Sequence, residues 1–120
     1  MDAAAVALRH RYTIERSWTG KRVADAIRTA WSARPRTVEH TEIMQWPSLF
    51  LPIDHDLRMA VHMMGLNAQA PYSYPLRDLV HGRLGWSWNK FARARAMACD
   101  RMAGALNARA RPLIIVVAAA

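Results

Sequence analysis

The tripeptide Gly85-Trp86-Ser87 inside residues 75–111 constrains the fold more than any other feature of the chain. Glycine accepts the positive φ that ends many helices, and serine is a preferred N-cap for the helix that follows. Trp86 before that cap and Phe91 four residues after it have the spacing of a hydrophobic staple, which fixes the angle between two helices. The pattern therefore predicts two helices joined by a fixed corner, the outline of a helix-turn-helix.

The second of these helices, predicted over residues 88–108, separates apolar from basic positions. The positions predicted to face the core are Phe91, Ala94, Ala98, Met102 and Ala105. The first turns of such a helix enter the major groove, where arginine and asparagine suit guanine and adenine edges. The predicted DNA-binding residues are Trp88, Asn89, Lys90, Arg93, Arg95 and Arg101. A solvated basic face on an antiparallel helix pair is the alternative.

The charge of the chain is concentrated on this part of the sequence. The formal net charge is +8, and residues 75–120 hold eight basic and two acidic residues, a net of +6. Residues 1–74 hold nine basic and seven acidic residues, a net of only +2. This asymmetry favours a polyanionic partner, whose affinity should fall as the salt concentration rises.

Length and composition predict one mostly helical domain over all 120 residues, because alanine is abundant and 52% of the residues are hydrophobic. Within it we expect an N-terminal helix region at 18–34 and an extended connector at 35–53. A further helix with the helix-turn-helix follows at 54–111, and an apolar tail at 112–120. The fold class is therefore predicted to be all-α.

Local signals support these divisions. Thr19 is a candidate N-cap for a helix whose positions 23, 27, 30 and 31 form one apolar stripe, and Asp2 could cap a short helix over 3–11. Pro47 and Pro52 favour an extended connector, from which Ile43, Trp46 and Phe50 are expected to reach the core.

A third helix, after Asp54 or Asp56 as its cap, should bury Leu57, Val61 and Met64 and fray at Gly65.

Candidates for catalysis and metal binding are few. The single cysteine, Cys99, lies within a predicted helix and is expected to be a small core residue, which fits a reducing cytoplasm. His55 and His62 lack a third ligand, and Asp54 and Asp56 are typical of a helix N-terminus rather than an acid–base pair. We therefore expect no enzyme activity, metal or cofactor.

The apolar run 113–120 is too short to cross a bilayer, and it can pack back, bind a partner or mark the chain for degradation.

The order of short motifs along residues 18–109 resembles that of a known family. The motifs are Trp18-Thr19, Arg22-Val23, Ala26, Trp46-Pro47, Ile53-Asp54, Arg83-Leu84-Gly85 and Ala105-Leu106-Asn107. They resemble small helix-turn-helix proteins of alphaproteobacterial phages, prophages and gene transfer agents. The motif of that family is similar to the sigma-factor region that reads the −35 promoter element, and proteins of this kind include activators and GafZ-type antiterminators.

The resemblance implies a transcription regulator whose partners are DNA and RNA polymerase. From the residues themselves we expect a cytoplasmic protein with no membrane partner and no small-molecule substrate. Antitermination and promoter activation remain equally open. Trp86, Ser87 and Trp88 stand where the family tends to have basic residues, which leaves room for a protein-facing use of this surface. The alternatives are a DNA-recognition subunit of the small-terminase type, which should form a ring-shaped oligomer, and a protein-interaction module without nucleic acid.

Overall fold

The computed structural model describes residues 17–70 and 75–119, and these residues form five helices and no strand. The helices are α1 (Gly20–Ser32), α2 (Val38–Phe50), α3 (His55–Gln69), α4 (Leu76–Leu84) and α5 (Trp88–Ala119). The predicted all-α class is confirmed for this part of the chain. The helix predicted over residues 3–11 lies outside the described residues, as does most of the loop before α4.

α1 begins as its sequence predicts. The Thr19 side-chain oxygen accepts a hydrogen bond from the Arg22 backbone N–H at 3.2 Å, which satisfies one free donor of the first turn. Val23, Ile27 and Ala30 are fully buried on one stripe. The predicted cap and the predicted apolar face of this helix are both confirmed.

The prediction of an extended connector at 35–53 is wrong, because residues 38–50 form α2. Thr37 and His40 make a reciprocal capping box, with the Thr37 side chain bound to the His40 N–H and the His40 ring bound to the Thr37 N–H. Pro47 lies inside the helix, where it removes only one backbone donor. The three residues expected to reach the core do so at helical spacing: Ile43, Trp46 and Phe50.

α3 is buried on two sides. Leu57, Val61 and Met64 face one apolar cluster, as predicted, and Ala60 and Met63 face another. The expected fraying at Gly65 is wrong, because Gly65 is buried against the Trp31 indole and a Cβ at this position would overlap the ring. Glycine is therefore required here by close packing between α1 and α3.

Two apolar clusters hold the helices together. The larger one joins α1, α3 and α5 through Ile27, Met64 and Met102, and α2 packs against it. The smaller one joins α3, α4 and α5 through Met63, Val80 and Phe91. Because α3 and α5 contribute to both clusters, the corner between α4 and α5 is fixed to the rest of the molecule.

α5 is longer than predicted, since its backbone continues through Ala119. The Asn107 side chain fastens the segment before α1 to this helix: its Oδ1 accepts from the Trp18 N–H and its Nδ2 donates to the Trp18 carbonyl, both at 3.0 Å. The packing of the apolar tail side chains lies outside the described residues.

Candidate nucleic-acid interface

The corner between α4 and α5 has the geometry that its sequence predicts. Gly85 adopts a left-handed conformation with φ of 66°, and its N–H donates to the His81 carbonyl at 3.0 Å. The Ser87 hydroxyl accepts from the Lys90 N–H at 3.2 Å, which caps α5. Trp86 packs with Phe91 in the smaller cluster. These contacts fix the direction in which α5 leaves the corner.

The outward face of α5 carries four of the predicted DNA-binding residues. We define this face by four exposed side chains, Asn89, Lys90, Arg93 and Arg101, and the exposed carboxylate of Asp100 lies on the same side of the helix. Residues of an α-helix follow one another at about 100° around the axis, so Arg93 lies between Asn89 and Lys90. The Arg93 Nε donates to the Asn89 carbonyl at 3.4 Å. No acidic side chain of the described ranges pairs with Arg93.

Trp88 and Arg95 lie on a different side of the helix from Arg93, so the six predicted residues do not form one surface. Trp88 is half-buried, and the guanidinium carbons of Arg77 and Arg95 lie 4.9 and 5.6 Å from the centre of its ring. We name these three residues the arginine–tryptophan cluster. Arg77, on α4, was not among the predicted site residues.

The separation follows from helix geometry, because Trp88 and Arg95 are seven positions apart and point within about 20° of each other. Trp88 and Arg93 differ by about 140°. Helix periodicity therefore predicts that the six residues lie on two sides of α5, a division that residue type alone does not show. Burial of Phe91 in the smaller cluster fixes which side faces solvent.

Two cations of the outward face are paired with acids at the beginning of α3. Asp54 Oδ2 lies 2.6 Å from Arg101 Nη1, and Asp56 Oδ2 lies 3.7 Å from Lys90 Nζ. Lys90 Nζ also lies 4.4 Å from the centre of the Trp86 ring. The four ion-pair side chains stay between 38% and 60% exposed, so water still reaches them. Pairs this exposed contribute about 0–1 kcal/mol and exchange readily with other ions.

Two clefts between the described helices are small. A cleft of about 220 Å³ is lined by Trp31, Pro47 and His62, and one of about 200 Å³ is lined by Lys21, Arg95 and Cys99. Sites for small-molecule ligands usually enclose about 300–1,000 Å³. Within residues 17–70 and 75–119, no three His, Cys, Asp or Glu side chains are grouped so that they could hold a metal ion.

Cys99 is buried in the larger cluster. Burial raises the pKa of its thiol from 9.0 to about 11, and the nearby Arg28 and Arg95 reduce this effect. A thiol in this state is almost entirely protonated at neutral pH, and thiolate is the reactive form. The prediction that Cys99 is a core residue is confirmed.

No protein-family model, curated protein or solved structure matches this chain, so its resemblance to the phage and gene-transfer-agent proteins stays a prediction. Among the helices described, none combines the length and the apolar character needed to cross a membrane.

Proposed function

We propose that the protein is a DNA-binding transcription regulator that acts with RNA polymerase, as a processive antiterminator or as an activator. The observation that carries the DNA-binding part is the exposure of Asn89 and Arg93 on the first two turns of α5, directly after the capped corner. These turns are the part of a recognition helix that reaches base edges. Asn89 suits adenine and Arg93 suits guanine.

The arginine–tryptophan cluster supports the same proposal by offering contacts to phosphates. A guanidinium stacked on an aromatic ring keeps its planar N–H groups available at its edge, which suits binding to phosphate oxygens. Arg77 and Arg95 have no acidic partner within the described ranges. In this arrangement the outward face reads bases, and the cluster contacts the backbone beside the groove.

The polymerase part of the proposal is supported by the resemblance of the motifs along residues 18–109 to small phage and gene-transfer-agent proteins, whose helix-turn-helix is similar to a sigma-factor region. Purified polymerase transcribing a template with a promoter and a downstream terminator separates the two modes of action. An antiterminator raises readthrough without changing the number of transcripts that start. An activator raises the number of starts at an unchanged readthrough fraction. If neither quantity changes on any template from the native locus, the polymerase part is wrong.

Binding to a fluorescently labelled duplex, measured by anisotropy between ~50 and ~200 mM salt, tests the DNA-binding part. Arg93→Ala should cost about 1–3 kcal/mol of binding free energy on a preferred sequence and weaken the discrimination between sequences. Arg36→Ala removes the same charge from the exposed segment between α1 and α2 and is the matched control. Equal losses in the two variants, or no binding by the unaltered protein at low salt, would overturn the proposal.

A protein-interaction module is the second candidate, and the pairing of Lys90 and Arg101 with acids favours it. Self-paired charges on an exposed face are also found where a surface meets another protein. Under this alternative the protein binds a duplex no more tightly than it binds an uncharged polymer. Arg93→Ala then changes the affinity for a protein partner instead. The anisotropy experiment therefore separates the two candidates.

A further inference from the structure

Two aspartates at the beginning of α3 lie beside two cations of the outward face of α5. The Asp54 carboxylate lies 2.6 Å from the Arg101 guanidinium, 47 positions along the chain, and the Asp56 carboxylate lies 3.7 Å from the Lys90 ammonium. Both contacts join the same two helices. Since α3 and α5 are also held by both apolar clusters, the two acids are presented to the two cations by a rigid framework.

The Asp54 side chain contacts Arg101 and does not cap α3. It occupies the N-cap position of α3, where an aspartate side chain usually accepts from the N–H groups of the first turn, and it makes no such bond. Its carboxylate hydrogen-bonds Arg101 instead. The local preference of the side chain is thus replaced by a contact that neutralises a cation of the outward face.

A carboxylate and a phosphate bind guanidinium and ammonium groups in the same manner, through charge-assisted hydrogen bonds. The two aspartates therefore take the places that DNA phosphates would take beside Arg101 and Lys90. Arg93 and Asn89, on the same face, are left unpaired with any acid of the described helices. The outward face is consequently weakened for backbone contacts and unaffected for base contacts.

We infer that Asp54 and Asp56 lower the affinity of the protein for DNA by competing with DNA phosphates for Arg101 and Lys90. This inference rests on the proposed DNA-binding function and deepens it. Binding to arbitrary sequence depends on the number of phosphates neutralised, so two occupied cations reduce it. Binding to a preferred site also uses base contacts through Asn89 and Arg93, which the two acids leave unoccupied, so its affinity falls by the same factor.

The test is the affinity of the Asp54→Asn/Asp56→Asn variant for a duplex of mixed sequence, across a salt titration. Asparagine is an equally good N-cap, so the replacement at position 54 preserves the start of α3. The control is Glu39→Gln/Glu42→Gln, which changes the net charge equally on exposed positions of α2. We expect the aspartate variant to bind about three- to tenfold more tightly than the control, with a salt slope steeper by about 2.

A double-mutant cycle identifies the cations responsible. Adding Lys90→Ala/Arg101→Ala to the aspartate variant should return the affinity to that of Lys90→Ala/Arg101→Ala alone. If the two aspartates only hold α3 against α5, their replacement would change the melting temperature and leave the salt slope equal to that of the control. Should the double variant not fold, Asp56→Asn alone is expected to steepen the slope by about 1.

Three outcomes decide between the inference and the function on which it rests. Tighter binding with a steeper slope than the control supports both. Binding by the unaltered protein with no difference between the aspartate variant and the control overturns the inference and leaves the proposed function intact. No duplex binding by any variant at ~50 mM salt overturns both.

Discussion

Single side chains decide how closely the helices of this molecule approach one another. Gly65 allows α3 to lie against the Trp31 indole, and Gly85 supplies the only positive φ among the described residues. Arg93 owes its position at the middle of the outward face to the burial of Phe91 two residues before it. Each of these roles depends on local geometry, and a chemically similar amino acid at the same position would not reproduce it.

Gly65→Ala and Gly104→Ala should change stability in opposite directions. Both glycines lie inside helices, where alanine is intrinsically better by about 1 kcal/mol. At Gly104 a Cβ meets open space, so we expect the free energy of unfolding to rise by about 0.5–1 kcal/mol. At Gly65 it overlaps the indole, and overpacking of about 1–3 kcal/mol outweighs the helix preference. Urea denaturation of both variants measures the signs; a stabilised Gly65→Ala would contradict the packing of α1 on α3.

Cys99 should make stability depend on pH in an alkaline window. The folded thiol has a pKa of about 11 against 9.0 when exposed, so the unfolded chain releases its proton first as the pH rises. The contribution of the thiol is complete below pH 9 and is lost between pH 9 and 11, by about 1.4 kcal/mol per pH unit at most. Urea denaturation at pH 8 and 10, with Cys99→Ala as control, measures it. Equal slopes in the two proteins would show that the thiol is not desolvated.

At the level of elements, the helix boundaries were predicted best where a side chain caps a helix or a glycine ends one. Thr19, Gly85 and Ser87 each act on backbone groups within three or four residues, so local sequence was sufficient to find them. α2 was not predicted because Pro47 and Pro52 are typical of extended segments, whereas the spacing of Ile43, Trp46 and Phe50 favours a helix. That spacing is helical, and a proline near the C-terminal end of a helix removes one hydrogen bond without preventing the others.

Thr37→Ala tests whether α2 forms in solution. Loss of the capping box should lower the free energy of unfolding by about 1 kcal/mol and reduce the helical circular dichroism signal. Thr29→Ala, at an exposed position inside α1, is the control and should be neutral or slightly stabilising. Equal behaviour of the two variants would indicate that residues 38–50 have no capped helix to lose.

The candidate interface was predicted in part. The exposure of Asn89, Lys90 and Arg93 followed from the apolar stripe of α5, which is a local pattern. The pairing of Lys90 and Arg101 with Asp56 and Asp54 did not, because it depends on how α3 docks on α5. No pattern in a single sequence records a contact between residues 47 positions apart.

At the scale of the whole molecule, the cations considered on α4 and α5 lie on two surfaces of different character. The outward face carries Arg93 beside two cations that acids of the chain neutralise, and the arginine–tryptophan cluster leaves Arg77 and Arg95 without acidic partners among the described residues. A duplex that approaches α5 is therefore expected to meet phosphate contacts at the cluster and base contacts at Arg93. This division makes affinity and sequence preference separable by mutation.

The central claim is that the beginning of α5 is the surface that binds DNA. The most direct measurement is a titration of the isotope-labelled protein with a short duplex at ~50 mM salt, followed by the backbone amide signals in NMR spectra. We predict that the largest shifts fall on residues 85–95, with further shifts around Arg77, and that the amides of α2 stay unchanged. Shifts concentrated on α2, or a spectrum that the duplex leaves unaltered, would contradict the account.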